Sequence, residues 1–195
     1  TLEQKYKSKV TKIKFKNNSI AFHDFVNNVL TKGKDATLHS ITLNNDKVIP
    51  SNIALFKNEK LVDFSNNIIG YSLLSKKAKE ILLDLKYKDE LITVLIYNIN
   101  VKSYVKDRNI YYKINSKVRV KENPNDVKIE NDLKNIIENN LINKMIDLNK
   151  ECKKYNTDIF GFENVLEKHY IKKEFKDINL KINLNLEYEK DGKYE

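Results

Sequence analysis

Leu180-Lys181-Ile182-Asn183-Leu184-Asn185-Leu186-Glu187-Tyr188 alternates apolar and polar side chains without a break. Period two over such a length is the pattern of a strand with one buried face and one wet face. Leu180, Ile182, Leu184, Leu186 and Tyr188 make the inner set; Lys181, Asn183, Asn185 and Glu187, continued by Glu189, make the outer. One strand cannot bury its apolar face alone, so its neighbours must lie upstream.

Three upstream stretches qualify. Ile81, Leu83, Leu85 and Tyr87 alternate with Leu82, Asp84 and Lys86. Leu91 to Val105 reads as a longer strand, with Leu91, Thr93, Leu95, Tyr97, Ile99 and Val101 expected on one side. From Ile110 to Lys121 the inward set is Ile110, Tyr112, Ile114, Val118 and Val120, opposite Lys113, Asn115, Lys117, Arg119 and Lys121. Lys88-Asp89-Glu90 and Asp107-Arg108-Asn109 suit tight turns, which predicts an antiparallel meander. Pro124 ends the third strand, and Asn125 or Asp126 can cap a helix running to about Tyr155. Its stripe is Ile129, Leu133, Ile137, Leu141, Met145, Leu148, Cys152 and Tyr155, with Glu130, Lys134 and Glu138 on the opposite face.

The first third is built of shorter elements. Val10 to Phe15 suits an edge strand guarded by lysines. Ser19 can cap a helix through Leu30, with Phe22, Phe25, Val26, Val29 and Leu30 as the buried stripe and Gly33 as the stop. A strand around Ala36 to Leu43 follows. Next comes a hairpin of Asn52–Phe56 and Leu61–Phe64, and a helical link is expected over Asn66–Lys79. The fold class is therefore α+β. A small mixed domain over 1–68 precedes a four-stranded, mainly antiparallel sheet with helices packed on one face, over 69–195.

Composition narrows the function classes. The chain has 195 residues, 41% hydrophobic and 32% charged, which permits a packed core under a solvated surface. No apolar run approaches the roughly 20 residues needed to cross a bilayer, and Thr1-Leu2-Glu3-Gln4-Lys5 does not resemble a signal peptide. The net charge of +9 comes almost wholly from lysine, with arginine only at Arg108 and Arg119. Base-reading proteins favour arginine, and an AT-rich genome encodes a Lys- and Asn-rich chain; attraction to an anionic membrane is the other physical reading.

Catalytic signatures are missing from the sequence. His23, His39 and His169 have no metal-ligand spacing, and four glycines supply no GxGxxG turn. Cys152 falls on the apolar stripe of the long helix, as a small buried hydrophobe would. A Cys152–His169 pair has nothing to orient the histidine. The Asp89-Glu90 and Glu187/Glu189 carboxylates fall in a turn and on a wet face. Tyr104 and Tyr111 are expected outward on the basic strand face, yet no RNP-type run accompanies them. No catalytic, cofactor-binding or metal residue is assigned, and no cofactor or nucleic acid is expected.

One segment has no chemistry of its own: Thr157-Asp158-Ile159-Phe160-Gly161-Phe162-Glu163, followed by a short helix. Asp158 can accept hydrogen bonds from the N–H groups opening that helix. Ile159, Phe160 and Phe162 can pin it under the long helix, and Gly161 would allow a close backbone approach. This segment resembles the marker of the Ger(x)C family, the C subunits of bacterial spore germinant receptors. Ile53 to Val62 is similar to the family's hairpin, and Val118-Arg119-Val120-Lys121-Glu122 to its strand before the long helix; the order holds across roughly residues 40 to 190. Departures are Glu163, where the family often has glycine, and the lack of tryptophan, with Tyr170 and Phe175 in that region.

The resemblance implies a non-catalytic lipoprotein subunit on the outer face of the inner spore membrane. Its partners would be two polytopic membrane subunits, A and B. It also implies a lipobox cysteine and a further N-terminal domain outside these 195 residues, with 1–68 as the middle domain. Asp158, Phe160, Gly161 and Phe162 are then the candidate interaction or structural markers. The other readings are a generic extracytoplasmic binding or scaffolding module and, behind it, a nucleic-acid-binding domain.

Overall fold

The computed structural model describes residues 22–44, 47–122 and 131–189. Its elements are α1 (Phe22–Leu30), β1 (Thr37–Asn44), β2 (Lys47–Lys57), β3 (Lys60–Ser65), α2 (Ile68–Leu74), β4 (Glu80–Tyr87), β5 (Glu90–Lys106), β6 (Asn109–Glu122), α3 (Asn131–Lys154), α4 (Phe162–Glu167) and β7 (Leu180–Tyr188). β1-β2-β3 form one antiparallel sheet, and β4-β5-β6-β7 a second. The strand expected at Val10–Phe15, the Ser19 cap, the Asn125 or Asp126 cap and Ile129 lie outside the described residues.

The meander forms as its alternation predicts. Along β4 buried and exposed residues alternate strictly. Three hairpins turn on two residues each with positive φ: Asn58-Glu59, Lys88-Asp89 and Asp107-Arg108. Such turns match the strands' own twist, and here they are made without glycine. β7 then adds to β6 in parallel, Ile110 beside Leu180 through Val118 beside Tyr188. A parallel neighbour needs a long crossover, and α3 and α4 provide it.

β5 departs from the sequence expectation. Ile92, Val94 and Ile96, not Leu91, Thr93 and Tyr97, carry the buried side of its first half. Between Tyr97 and Asn100 the register with β6 shifts, and Asn98 takes φ 52. This bulge moves the inward set to Ile99, Val101 and Val105, which pack against the core. A period-two pattern read through an inserted residue is inverted on one side of it.

α3 buries Leu133, Ile137, Leu141, Met145, Leu148 and Cys152, the stripe drawn from its spacing. These side chains share one hydrophobic cluster with β4–β6, and with Ile53 and Leu55 of β2. The link expected over Asn66–Lys79 is helical only as α2. Lys76 adopts φ 60, and the Lys76 and Lys77 N–H groups donate to the Leu73 and Ser72 carbonyls, closing the helix by a left-handed cap. α2 touches α3 backbone to backbone: a Cβ on Gly70 would stand 2.3 Å from the Lys144 carbonyl oxygen. Asn67 secures the contact, accepting from the Gly70 N–H at 2.9 Å and donating to the Lys144 carbonyl at 2.6 Å. In α1, Phe25 meets Phe56 edge to face, while Leu30 is 77% exposed and outside the expected stripe.

Candidate functional site

α3 ends in the same left-handed cap, with Asn156 at φ 51 and the Thr157 N–H donating to the Cys152 carbonyl at 2.9 Å. The chain reverses there and delivers Thr157 and Asp158 to the first sheet. The Thr157 hydroxyl donates to the Phe56 carbonyl at 2.6 Å. Asp158 and Asp35 hold each other: the Asp158 N–H donates to Asp35 Oδ2 at 2.7 Å, and the Asp35 N–H to the Asp158 carbonyl at 2.9 Å. Lys57 Nζ pairs with the same Asp35 oxygen at 3.0 Å.

The Asp158 side chain turns to α4. Its Oδ2 accepts from the Glu163 N–H at 2.9 Å, satisfying a donor the helix leaves open. Oδ1 is buried without a hydrogen-bond partner among the described residues. Burial raises the Asp158 pKa to about 6, against the lowering effect of the N–H groups of Glu163, Phe162 and Gly161. Desolvation therefore outweighs capping. Glu163 Oε1 accepts from the Phe175 N–H at 2.6 Å, which ties α4 to the segment before β7.

Gly161 opens α4 at φ 71, a left-handed conformation. A Cβ there would meet Lys34 at 3.6 Å, ordinary contact, so glycine serves the dihedral and not the close approach expected from sequence. Ile159 and Phe162 are each 2% exposed, whereas Phe160 is half-buried. The rings form a ladder. Phe160 stacks on Phe162 at 5.3 Å and leans on Tyr71 at 6.0 Å, and Phe162 reaches Phe175 and Tyr112 at 6.2 and 6.3 Å. Phe160 also lines a groove of about 470 Å³ shared with Tyr71, Tyr112, Lys34 and Lys76. Of the two aromatics standing where tryptophan was expected, Phe175 is buried and Tyr170 is 99% exposed.

The other candidates add no reactive group to this turn. Cys152 has no exposed surface, and burial pushes its thiol pKa well up, which withholds the thiolate. His169 is exposed after α4. Among the described residues, no group of three or more His, Cys, Asp or Glu could hold a metal, and no helix is long and apolar enough to cross a membrane. Sequence reasoning missed Asp35, Thr157 and Glu163 as fastenings of the turn. Asp35 and Phe56 lie more than a hundred positions away, where no local spacing signals a partner.

A family model described as Spore germination B3/GerAC like, C-terminal, matches residues 51–192, from within β2 past the end of β7. The chain belongs to that family. This is the Ger(x)C resemblance that the Asp158 segment carried. Among solved structures, this GerAC-like chain is similar to one titled the crystal structure of the GerBC protein, at 16% identity and a TM-score of 0.66. The likeness covers 91% of this chain and 62% of that one, so the chain spans less than two thirds of that protein. At this identity the likeness shows the fold: mixed α and β elements with a four-stranded mixed sheet. Comparison with curated proteins gives no match.

Proposed function

We propose that this chain is the middle and C-terminal part of the C subunit of a nutrient germinant receptor. The family match over 51–192, which contains the whole Asp158–Phe162 turn, is the observation that carries this reading. The subunit acts by binding rather than catalysis and takes no cofactor. It is lipid-anchored, through a segment outside these residues, to the outer face of the inner spore membrane, where it assembles with polytopic A and B subunits and supports signalling. Residues 1–68 serve as the middle domain and 69–195 as the C-terminal domain.

Within the turn, Asp158, Gly161 and Phe162 position α4, and Phe160 is the member left open to a partner. Its partly exposed ring in the lining of the 470 Å³ groove supports that division. The test is affinity capture of the full-length protein from spore membranes, with Phe160→Ala beside the parent. Co-capture of polytopic subunits, lost in Phe160→Ala at a temperature where its far-UV circular dichroism spectrum shows it still folded, is the expected result. Recovery of the protein in a cytosolic, nuclease-sensitive complex would overturn the receptor reading, and spores that germinate normally without it would overturn the signalling role.

A further inference from the structure

The outer face of the four-stranded sheet is divided in charge. At one end its charges are matched: Lys117 pairs with Glu187 at 3.8 Å, Arg119 lies over the Tyr97 ring at 5.3 Å, and the Tyr97 hydroxyl bonds Glu189. At the other end Lys102 stands directly across from Lys113, and Tyr104 across from Tyr111, which in turn neighbours Lys181 on β7. Lys106 and Arg108 extend the same end, and Asp107 is the acid beside them. All five basic side chains are exposed, and none of them has an ion pair among the described residues.

Like charges facing each other across a strand pair destabilise a sheet. The Lys102–Lys113 pair is thus a cost that nothing among the described residues offsets, which points to an anionic partner outside the chain. The partner's shape follows from the surface. These residues sit on one face of three adjacent strands, a broad patch and not a cleft, so it suits a plane of negative charge. The tyrosines decide between planes and polymers. Their rings stack on each other at 5.2 Å and 10°, so each has one face already occupied. A sheet that reads single-stranded nucleic acid offers free ring faces to the bases. The self-stacked pair, with Tyr104 49% exposed, leaves each ring at most one face for a base and carries the amphipathic side chain that sits at membrane–water boundaries.

We propose that the sheet end built on the Lys102–Lys113 and Tyr104–Tyr111 pairs docks on an anionic phospholipid headgroup surface. The lysines supply attraction, and the tyrosines enter the headgroup layer. This contact stands on charge and geometry and does not depend on the receptor reading. Should the receptor reading hold, the contact would lay the outer sheet face against the bilayer and turn the α3 side away from it.

The experiment is co-sedimentation of the 195-residue chain with phosphatidylcholine vesicles, with and without a third of phosphatidylglycerol. Binding is expected to the phosphatidylglycerol vesicles alone, and to fade as the screening length falls from about 10 Å at 0.1 M salt to about 3 Å at 1 M. Each lysine near such a surface is worth about a fivefold change in binding, so Lys102→Gln/Lys113→Gln should weaken it roughly 30-fold. Tyr104→Ser/Tyr111→Ser should weaken binding while keeping its salt dependence. Lys117→Gln, at the matched end, should leave it near the parent value. All these positions face solvent, and an unchanged far-UV circular dichroism spectrum checks the fold. Failure to bind, equal binding to phosphatidylcholine alone, or undiminished binding by Lys102→Gln/Lys113→Gln would overturn the proposal. So would displacement from vesicles by single-stranded RNA at equal phosphate concentration.

Discussion

Asp158→Asn separates the two forces that meet at the turn. The asparagine keeps an oxygen to accept the Glu163 N–H, which the aspartate accepts at 2.9 Å, and it removes the charge. In the folded protein the carboxyl titrates near 6, raised by burial from an ordinary 3.8. The folded state therefore holds its proton where the unfolded chain has released it. The neutral form's stability is fully present below about pH 4 and is lost as pH rises through about 6. At about 1.4 kcal/mol per pH unit, the gap of about two units amounts to roughly 3 kcal/mol. At 3% exposure Asp158 has little solvent to screen its charge. Urea unfolding of parent and variant at intervals from pH 4 to 8 gives the difference free of other groups' titration. Replacing buried Oδ1 by an amide nitrogen adds a constant at all pH values, so the slope is the quantity to read. The parent should lose about 3 kcal/mol relative to Asp158→Asn between pH 4 and 8, most of it between 4 and 6. A flat difference, or one in which the parent gains with pH, would refute the reasoning: the N–H groups of α4 would then outweigh burial.

Three further outcomes follow from the packing. Phe162→Ala, a fully buried ring, should destabilise by about 4 kcal/mol, and half-buried Phe160→Ala by about 2, both read from urea midpoints at unchanged slope. Gly161→Ala should cost about 1–2 kcal/mol through its left-handed φ, and Gly161→Asn less, since asparagine tolerates that region. Gly70→Ala should cost about 3 kcal/mol, because the new Cβ meets the Lys144 main chain at 2.3 Å as well as the Asn67 side chain; a loss under about 1 kcal/mol in thermal unfolding would show that α2 and α3 can part.

Legibility differed by element for physical reasons. β4, β6, β7 and α3 were readable because each keeps one period from end to end, and each buries the face its period marks. β5 was readable as a strand but not in its facing, since the Asn98 bulge changes the phase, and asparagine, which tolerates the left-handed region, is too frequent in this chain to mark one. α2 ended early at Lys76, a residue with no preference for the left-handed cap it forms. At the turn, the Asp158 cap on α4 was foreseeable, because donor and acceptor lie five residues apart. Its fastening to Asp35 was not, because the two meet across 123 residues.

The sequence by itself determined the order of β4–β7 and α3, the family through the Asp158–Phe162 segment, and the burial of Cys152. Those are consequences of local period and local motif. Only the tertiary structure decided that β7 lies parallel to β6, that Asp158 is clamped by Asp35 and Lys57, and that Gly161 answers a dihedral and not a tight contact. It also decided which half of the basic sheet face has no ion pair among the described residues, since the distances that set neutralisation run across strands and not along them.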